Sequence, residues 1–303
     1  RTADDRVGYF VTALKDFSKK ETDDDRFVRY INRWNLEKAD PSAEMSTPKE
    51  PIVFWLEKTI PFKYRKPIRD GILEWNKAFA KAGFYDAIEV RQQPDDAPWE
   101  PGDIRYNTFQ WITAGAGFAM GPSRVNPTTG QILDADIIFD ADFLQFWKQE
   151  YETFTPVGIA QLTGGPLDLQ EYQAELRRMP AYMQDSHSAR CACNMLNGMS
   201  RQFALGSAVM ATRKRSDAEL EKMTMQGLKE VAMHEVGHTL GLAHNFKGST
   251  LHSLKDLNDP EKTKDTGLGA SVMDYNPVNI MPEGMKQGDY YSTTIGPYDM
   301  WAI

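Results

Sequence analysis

Three of the chain's five histidines fall within eleven residues, in the run His234-Glu235-Val236-Gly237-His238-Thr239-Leu240-Gly241-Leu242-Ala243-His244. Four residues make about one helical turn, so on a helix His234 and His238 leave the same face and their imidazoles can meet one ion. Glu235, next to the first of them, lies beside that ion rather than on it. A carboxylate there can act as general base, taking a proton from an activated water. His244 cannot reach the same ion if the helix continues. Gly241 permits the left-handed turn that ends the helix and swings His244 back. Three histidines leave a fourth position open, which is the pattern of a catalytic rather than a structural zinc site. The bland reading, in which these are solvent-facing or capping histidines, has little weight. At ordinary residue usage a chance match to the five key positions is below about one in ten thousand.

The elements that must carry this run can be read outward from it. Ser216 with Glu219 has the form of a capping box opening the histidine helix. Upstream, Ile52 to Leu56 is an apolar strand. Pro67 opens a helical segment with Ile68, Ile72, Trp75 and Phe79 at helix spacing, Gly83 ends it, and Ile88-Glu89-Val90 follows as a second strand, so a βαβ unit is expected. A short strand is expected at Asp103 to Tyr106, then a glycine-rich run from Ala114 to Gly121. A turn at Pro127-Thr128-Thr129-Gly130 leads into a strand from Gln131 to Phe139, completing a small mixed sheet. From Phe143 to about Leu228 the pattern is mostly helical and holds half of the fourteen methionines. Residues 1–50, rich in charge, read as a lead-in segment. Residues 51–303 read as one catalytic domain with a helical insertion at 143–227 and a C-terminal subdomain at 245–303 that breaks off within a helical pattern. The chain begins without methionine, so it is expected to be a piece of a longer protein with other domains.

The histidine run is complete against H-E-x-x-H-x-x-G-x-x-H and resembles the extended zinc motif of the metzincins. Ser271-Val272-Met273-Asp274-Tyr275 looks like the methionine turn of that family, in which Met273 forms an apolar floor beneath the histidines. Without the upstream motif Met273 would read as a core methionine. In the astacin and serralysin branches the tyrosine two residues after this methionine reaches the zinc, and Tyr275 stands at that position. Its alternative is a packed aromatic with its hydroxyl on a backbone group. Gly117, Phe118, Ala119 and Met120 resemble the edge strand that takes an extended substrate, and Gly296 to Ile303 resembles the start of the closing helix. The likeness is nearest to large bacterial metzincin-like zinc proteases and departs from the family's pattern at the 143–227 insertion. It implies an α+β fold with a small mixed twisted sheet, an active-site helix and a methionine turn. It also implies one catalytic Zn2+ on His234, His238 and His244, with Glu235 as base and Tyr275 as a catalytic hydrogen-bond donor. The activity implied is hydrolysis of protein or peptide bonds by a zinc endopeptidase exported to the periplasm, the cell surface or the medium.

Composition bounds the rest. With 43 acidic and 35 basic residues the formal charge is −8, and no basic stripe suits nucleic acid. No stretch reaches the about 18 to 20 apolar residues needed to cross a bilayer. Cys191 and Cys193 are too close for an unstrained mutual disulfide and read as ordinary thiols. The carboxylates of Asp134, Asp136, Asp140 and Asp142 could hold Ca2+, but they lack a full oxygen-ligand loop and read better as a solvated strand end. His187 and His252 keep no ligand spacing. Two other functions compete: a catalytically idle, zinc-stabilised module of a surface protein, which has no use for Glu235, and a zinc hydrolase of non-peptide amides.

Overall fold

In the computed structural model the described residues are 1–18, 26–114, 119–142, 199, 202, 205–206, 209–210, 216–282 and 284–303. Strands β1 (Val11–Lys15) and β2 (Phe27–Ile31) form an antiparallel pair. β3 (Ile52–Leu56) is followed by helices α1 (Phe62–Leu73) and α2 (Asn76–Lys81) and then by β4 (Ile88–Gln92), which lies parallel to β3. The expected βαβ unit is therefore present. β5 (Asn107–Ile112) pairs with the other side of β3, β9 (Ile137–Asp140) with β5, and β6 (Ala119–Met120) closes the edge antiparallel to β9. The resulting sheet has five strands in the order β4-β3-β5-β9-β6, while β7 (Ser123–Val125) and β8 (Ile132–Ala135) pair separately. With one long helix packed against this mixed sheet, the fold is of the expected α+β type.

That helix, α3 (Asp217–Thr239), carries the histidines and becomes fully buried from Glu230 to Thr239. α1 lies across it with Tyr64, Ile68, Gly71 and Ile72 turned inward. Gly71 has no side chain because a Cβ there would stand 2.7 Å from the Lys229 carbonyl oxygen. Trp75 is fully buried, and its indole N–H donates to Met233 O at 2.9 Å, tying the α1–α2 junction to the helix one residue before His234. Two 3-10 turns (Gly248–Thr250 and Asp256–Asn258) and the short helices α4 (Pro260–Thr263) and α5 (Pro297–Ala302) follow α3.

Several local expectations are corrected. Pro67 lies inside α1 rather than opening it, because the buried face formed with Tyr64 starts a turn earlier. The strand expected at 103–106 begins at Asn107, after a turn in which Tyr106 N–H donates to Asp103 O. The single strand expected over 131–139 is broken at Asp136, which lets β8 pair with β7 and β9 with β5. Asp136 Oδ1 accepts from both the N–H and the hydroxyl of Thr108, a side-chain anchor that takes the place of continuous ladder bonding. Ser216 stands at the N-cap of α3 in extended conformation without a side-chain cap bond. Of the expected insertion, residues 217–227 belong to the active-site helix, and 143–198 lie outside the described residues together with His187, Cys191 and Cys193.

Within the segment expected as a lead-in, residues 1–50, residues 8–10 and Trp34 bond to the end of the histidine helix and the turn after it. Tyr9 bridges antiparallel to Leu242, Phe10 N–H donates to Gly241 O at 2.7 Å, and Ala243 N–H donates to Gly8 O at 2.9 Å. Trp34 donates its indole N–H to Thr239 O. This segment therefore holds the stretch of chain between the second and third histidines.

Candidate metal centre

His234 and His238 are 0% and 6% exposed, and the imidazoles of His234, His238 and His244 place one nitrogen each within 4.8 Å of the others. Among the described residues this is the sole group of three or more His, Cys, Asp or Glu side chains so arranged. His234 Nδ1 donates to Val272 O at 2.6 Å and His238 Nδ1 donates to Leu242 O at 2.8 Å. Each bond sets the tautomer and leaves Nε2 as a lone-pair donor, the arrangement metal-ligating histidines usually have. The Nε2 atoms of His238 and His244 stand 3.1 Å apart. Ligands around a tetrahedral ion with bonds of about 2.0–2.1 Å are about 3.3 Å apart, so the donor set fits zinc.

Electrostatics agree with a cation site. Burial, and then the neighbouring imidazoles, hold His234 well below its usual pKa; burial takes His238 down to about 4 and lowers His244. Neutral imidazoles with lone pairs converging on one point are what a divalent ion requires.

The turn that returns His244 is built on Gly241, whose φ is +100°. Leu242 N–H donates to Gly237 O and Gly241 N–H to His238 O, the paired bonds of a Schellman cap. A Cβ on Gly241 would lie 1.9 Å from Asn32 O, so the helix end and the N-terminal segment fit together only with glycine there.

Met273 is fully buried, and a Cβ on Gly237 would meet its sulfur at 2.2 Å, so the methionine fills the space beside the helix between the two ligand turns. Its turn is held from α5. Asp299 Oδ2 accepts from Val272 N–H and Gly296 N–H, and Oδ1 accepts from the Ser271 hydroxyl, which in turn accepts from Met273 N–H. Val272 thus donates its N–H to Asp299 and offers its carbonyl to His234, so a buried carboxylate is linked to a candidate ligand through a single residue. Burial pushes Asp299 up to about 6, against the lowering effect of those hydrogen bonds.

Glu235 is fully buried. Tyr275 is half-buried, with its hydroxyl 2.8 Å from His244 Nε2. Of the edge-strand residues, Ala119 and Met120 form β6, whereas Gly117 and Phe118 lie outside the described residues. Just after β6, a Cβ on Gly121 would stand 2.6 Å from Glu235 O, so the sheet edge runs directly against the histidine helix. Within the acidic set, Asp134 pairs with Arg124, Asp136 Oδ1 accepts from Thr108, and Asp140 Oδ1 accepts from the backbone of Ala114 and Asp142. His252 contacts Thr266. Sequence reasoning did not find Asn32, Trp34, Asp299, Phe10 or Phe246. Asp299 alone left a local signal, as an acid three residues after Gly296 at a helix start.

Residues 216–303 match the family described as Met-zincin, and residues 1–39 match the family described as Domain of unknown function (DUF5117). Comparison with curated proteins and with solved structures finds no match. The Met-zincin match spans the three histidines, Met273 and Tyr275, and with the clustered imidazoles it makes residues 216–303 a metzincin-type domain.

Proposed function

We propose that this metzincin-type domain is a working zinc endopeptidase, with zinc on His234, His238 and His244 and with Glu235 as general base. The observation that carries the reading is the convergence of three imidazoles, two of them anchored to carbonyls, with a fully buried glutamate on the helical turn between those two. Zinc at this place supplies a Lewis acid and an activated water. Glu235 takes the water's proton and passes it to the leaving amine. Tyr275 donates a hydrogen bond to the oxyanion, a role supported by its hydroxyl standing 2.8 Å from His244 Nε2. The substrate backbone adds as a strand along β6, whose exit at Gly121 abuts the helix at Glu235.

Glu235→Gln keeps a side chain of the same shape but removes the proton acceptor. It should retain full zinc while losing most cleavage of an unfolded protein substrate, followed by mass spectrometry with and without a chelator. Equal activity in the variant would refute the base role. A wild type that binds zinc yet cleaves no peptide would favour an idle zinc-stabilised module.

A further inference from the structure

We propose that Phe10 and Phe246 determine substrate specificity, forming two apolar walls that take a large aliphatic or aromatic side chain flanking the scissile bond; this rests on the peptidase reading above. Both rings touch the candidate ligands directly. Phe10 lies 5.6 Å from His238, centroid to centroid, and Phe246 stacks on His244 at 5.3 Å while meeting Tyr275 edge-on at 5.4 Å. Both are exposed, at 41% and 65%. A single exposed phenylalanine is ordinary on a protein surface. Two of them bracketing one metal centre, each packed on a different ligand, are placed where a substrate side chain must pass.

Their backbones are fixed by the bonds that build the site. Phe10 N–H donates to Gly241 O at 2.7 Å and Phe10 O accepts from Asn32 N–H at 2.8 Å, so the residue is pinned on both sides. Phe246 follows Asn245, whose N–H donates to Met273 O at 3.0 Å. The Phe10 backbone and the chain entering Phe246 are thus held in place, which reduces the ordering that substrate binding must supply. Their faces could also attract a basic side chain. A zinc ion behind His238 and His244 repels a second cation, however, and the choice falls on apolar groups.

The test uses quenched peptides that differ only in the residues flanking the cleaved bond, carrying Phe or Leu, Ala, or Lys. They are assayed with zinc-loaded wild type, Phe10→Ala, Phe246→Ala, Phe10→Leu and, as a remote control, Phe17→Ala, whose ring is 82% exposed. Wild type should favour Phe and Leu over Ala by about tenfold or more in kcat/KM, within the range one apolar contact supplies. Each alanine variant should erase about tenfold of that preference, mainly through KM, with a larger loss on the Phe and Leu peptides than on the Ala peptide. Phe10→Leu should recover the Leu peptide more than the Phe peptide, and Phe17→Ala should match wild type. A wild type indifferent to side-chain size, or one preferring Lys, overturns the proposal, as does an equal loss on every peptide. Active wild type with unchanged selectivity in the variants sinks this inference alone. Zinc-loaded wild type inert on every peptide sinks the peptidase reading and this inference with it.

Discussion

Gly241→Ala tests how the third histidine is delivered. At φ +100° an alanine bears the left-handed penalty of about 1–2 kcal/mol. Its Cβ would also sit 1.9 Å from Asn32 O, a backbone atom that cannot rotate away. Relief requires the N-terminal segment to retreat, which breaks the bonds from Phe10 N–H to Gly241 O and from Ala243 N–H to Gly8 O. At about 0.5–1.5 kcal/mol each, these bring the loss to roughly 2–5 kcal/mol. That corresponds to a fall in Tm of roughly 3–8 °C for a chain this large. With its turn displaced, His244 should bind zinc about 10- to 100-fold more weakly, the scale seen when a ligand loses its support. Gly102→Ala is the matched control, since φ there is +92° and nothing lies within 4 Å of the added carbon. It should show the left-handed penalty alone and unchanged zinc affinity. Calorimetry and competition against a chromophoric chelator read both quantities. If Gly241→Ala melts like Gly102→Ala and holds zinc like wild type, the steric account of the turn is wrong.

Tyr275→Phe removes one hydroxyl and keeps the ring packed between His244 and Phe246. kcat should fall about 10- to 1,000-fold with KM little changed, whereas a fall in zinc content or Tm would make the residue structural. Glu230 is buried four residues before His234, and burial pushes its carboxyl up to about 8 from 4.5. A raised folded pKa means that its contribution to stability is complete below pH 4.5 and is lost as pH rises toward 8, by about 1.4 kcal/mol per unit. Glu230→Gln should therefore melt like wild type near pH 4.5 and above it at pH 8, and a difference that is flat with pH would refute the assignment.

Patterns confined to one element were legible in the sequence. The helix period of His234 and His238, the need for a left-handed residue at Gly241 and the strand-helix-strand pattern of 52–90 each depend on neighbours a few residues apart. The strand break at Asp136 was not legible, because it depends on Thr108 in another strand supplying the anchor. Pro67 misled for a related reason: its local signal marks a helix start, but burial of Tyr64 against the histidine helix extends α1 backward past it. The charged N-terminal stretch gave least. Alternating exposure along Val11–Lys15 and Phe27–Ile31 resembles a solvated hairpin, and nothing in residues 7–10 announces that they pair with 241–243. That pairing is a property of two distant surfaces, and in one sequence its sole trace is a glycine at 241 that helix termination already explains.

The same pairing governs when the site can exist. Gly8 N–H donates to the Tyr298 hydroxyl and the Tyr9 hydroxyl donates to Ala302 O, so one short stretch of backbone touches both the turn after His238 and the last helix. Contacts separated by nearly the whole chain close the largest loops and form late in folding. During synthesis, residues 7–10 leave the ribosome more than two hundred residues ahead of their partners and must wait for them, since domains fold as units once their segments are present. The third histidine is therefore seated only after residues 8–10 and 241–243 have met.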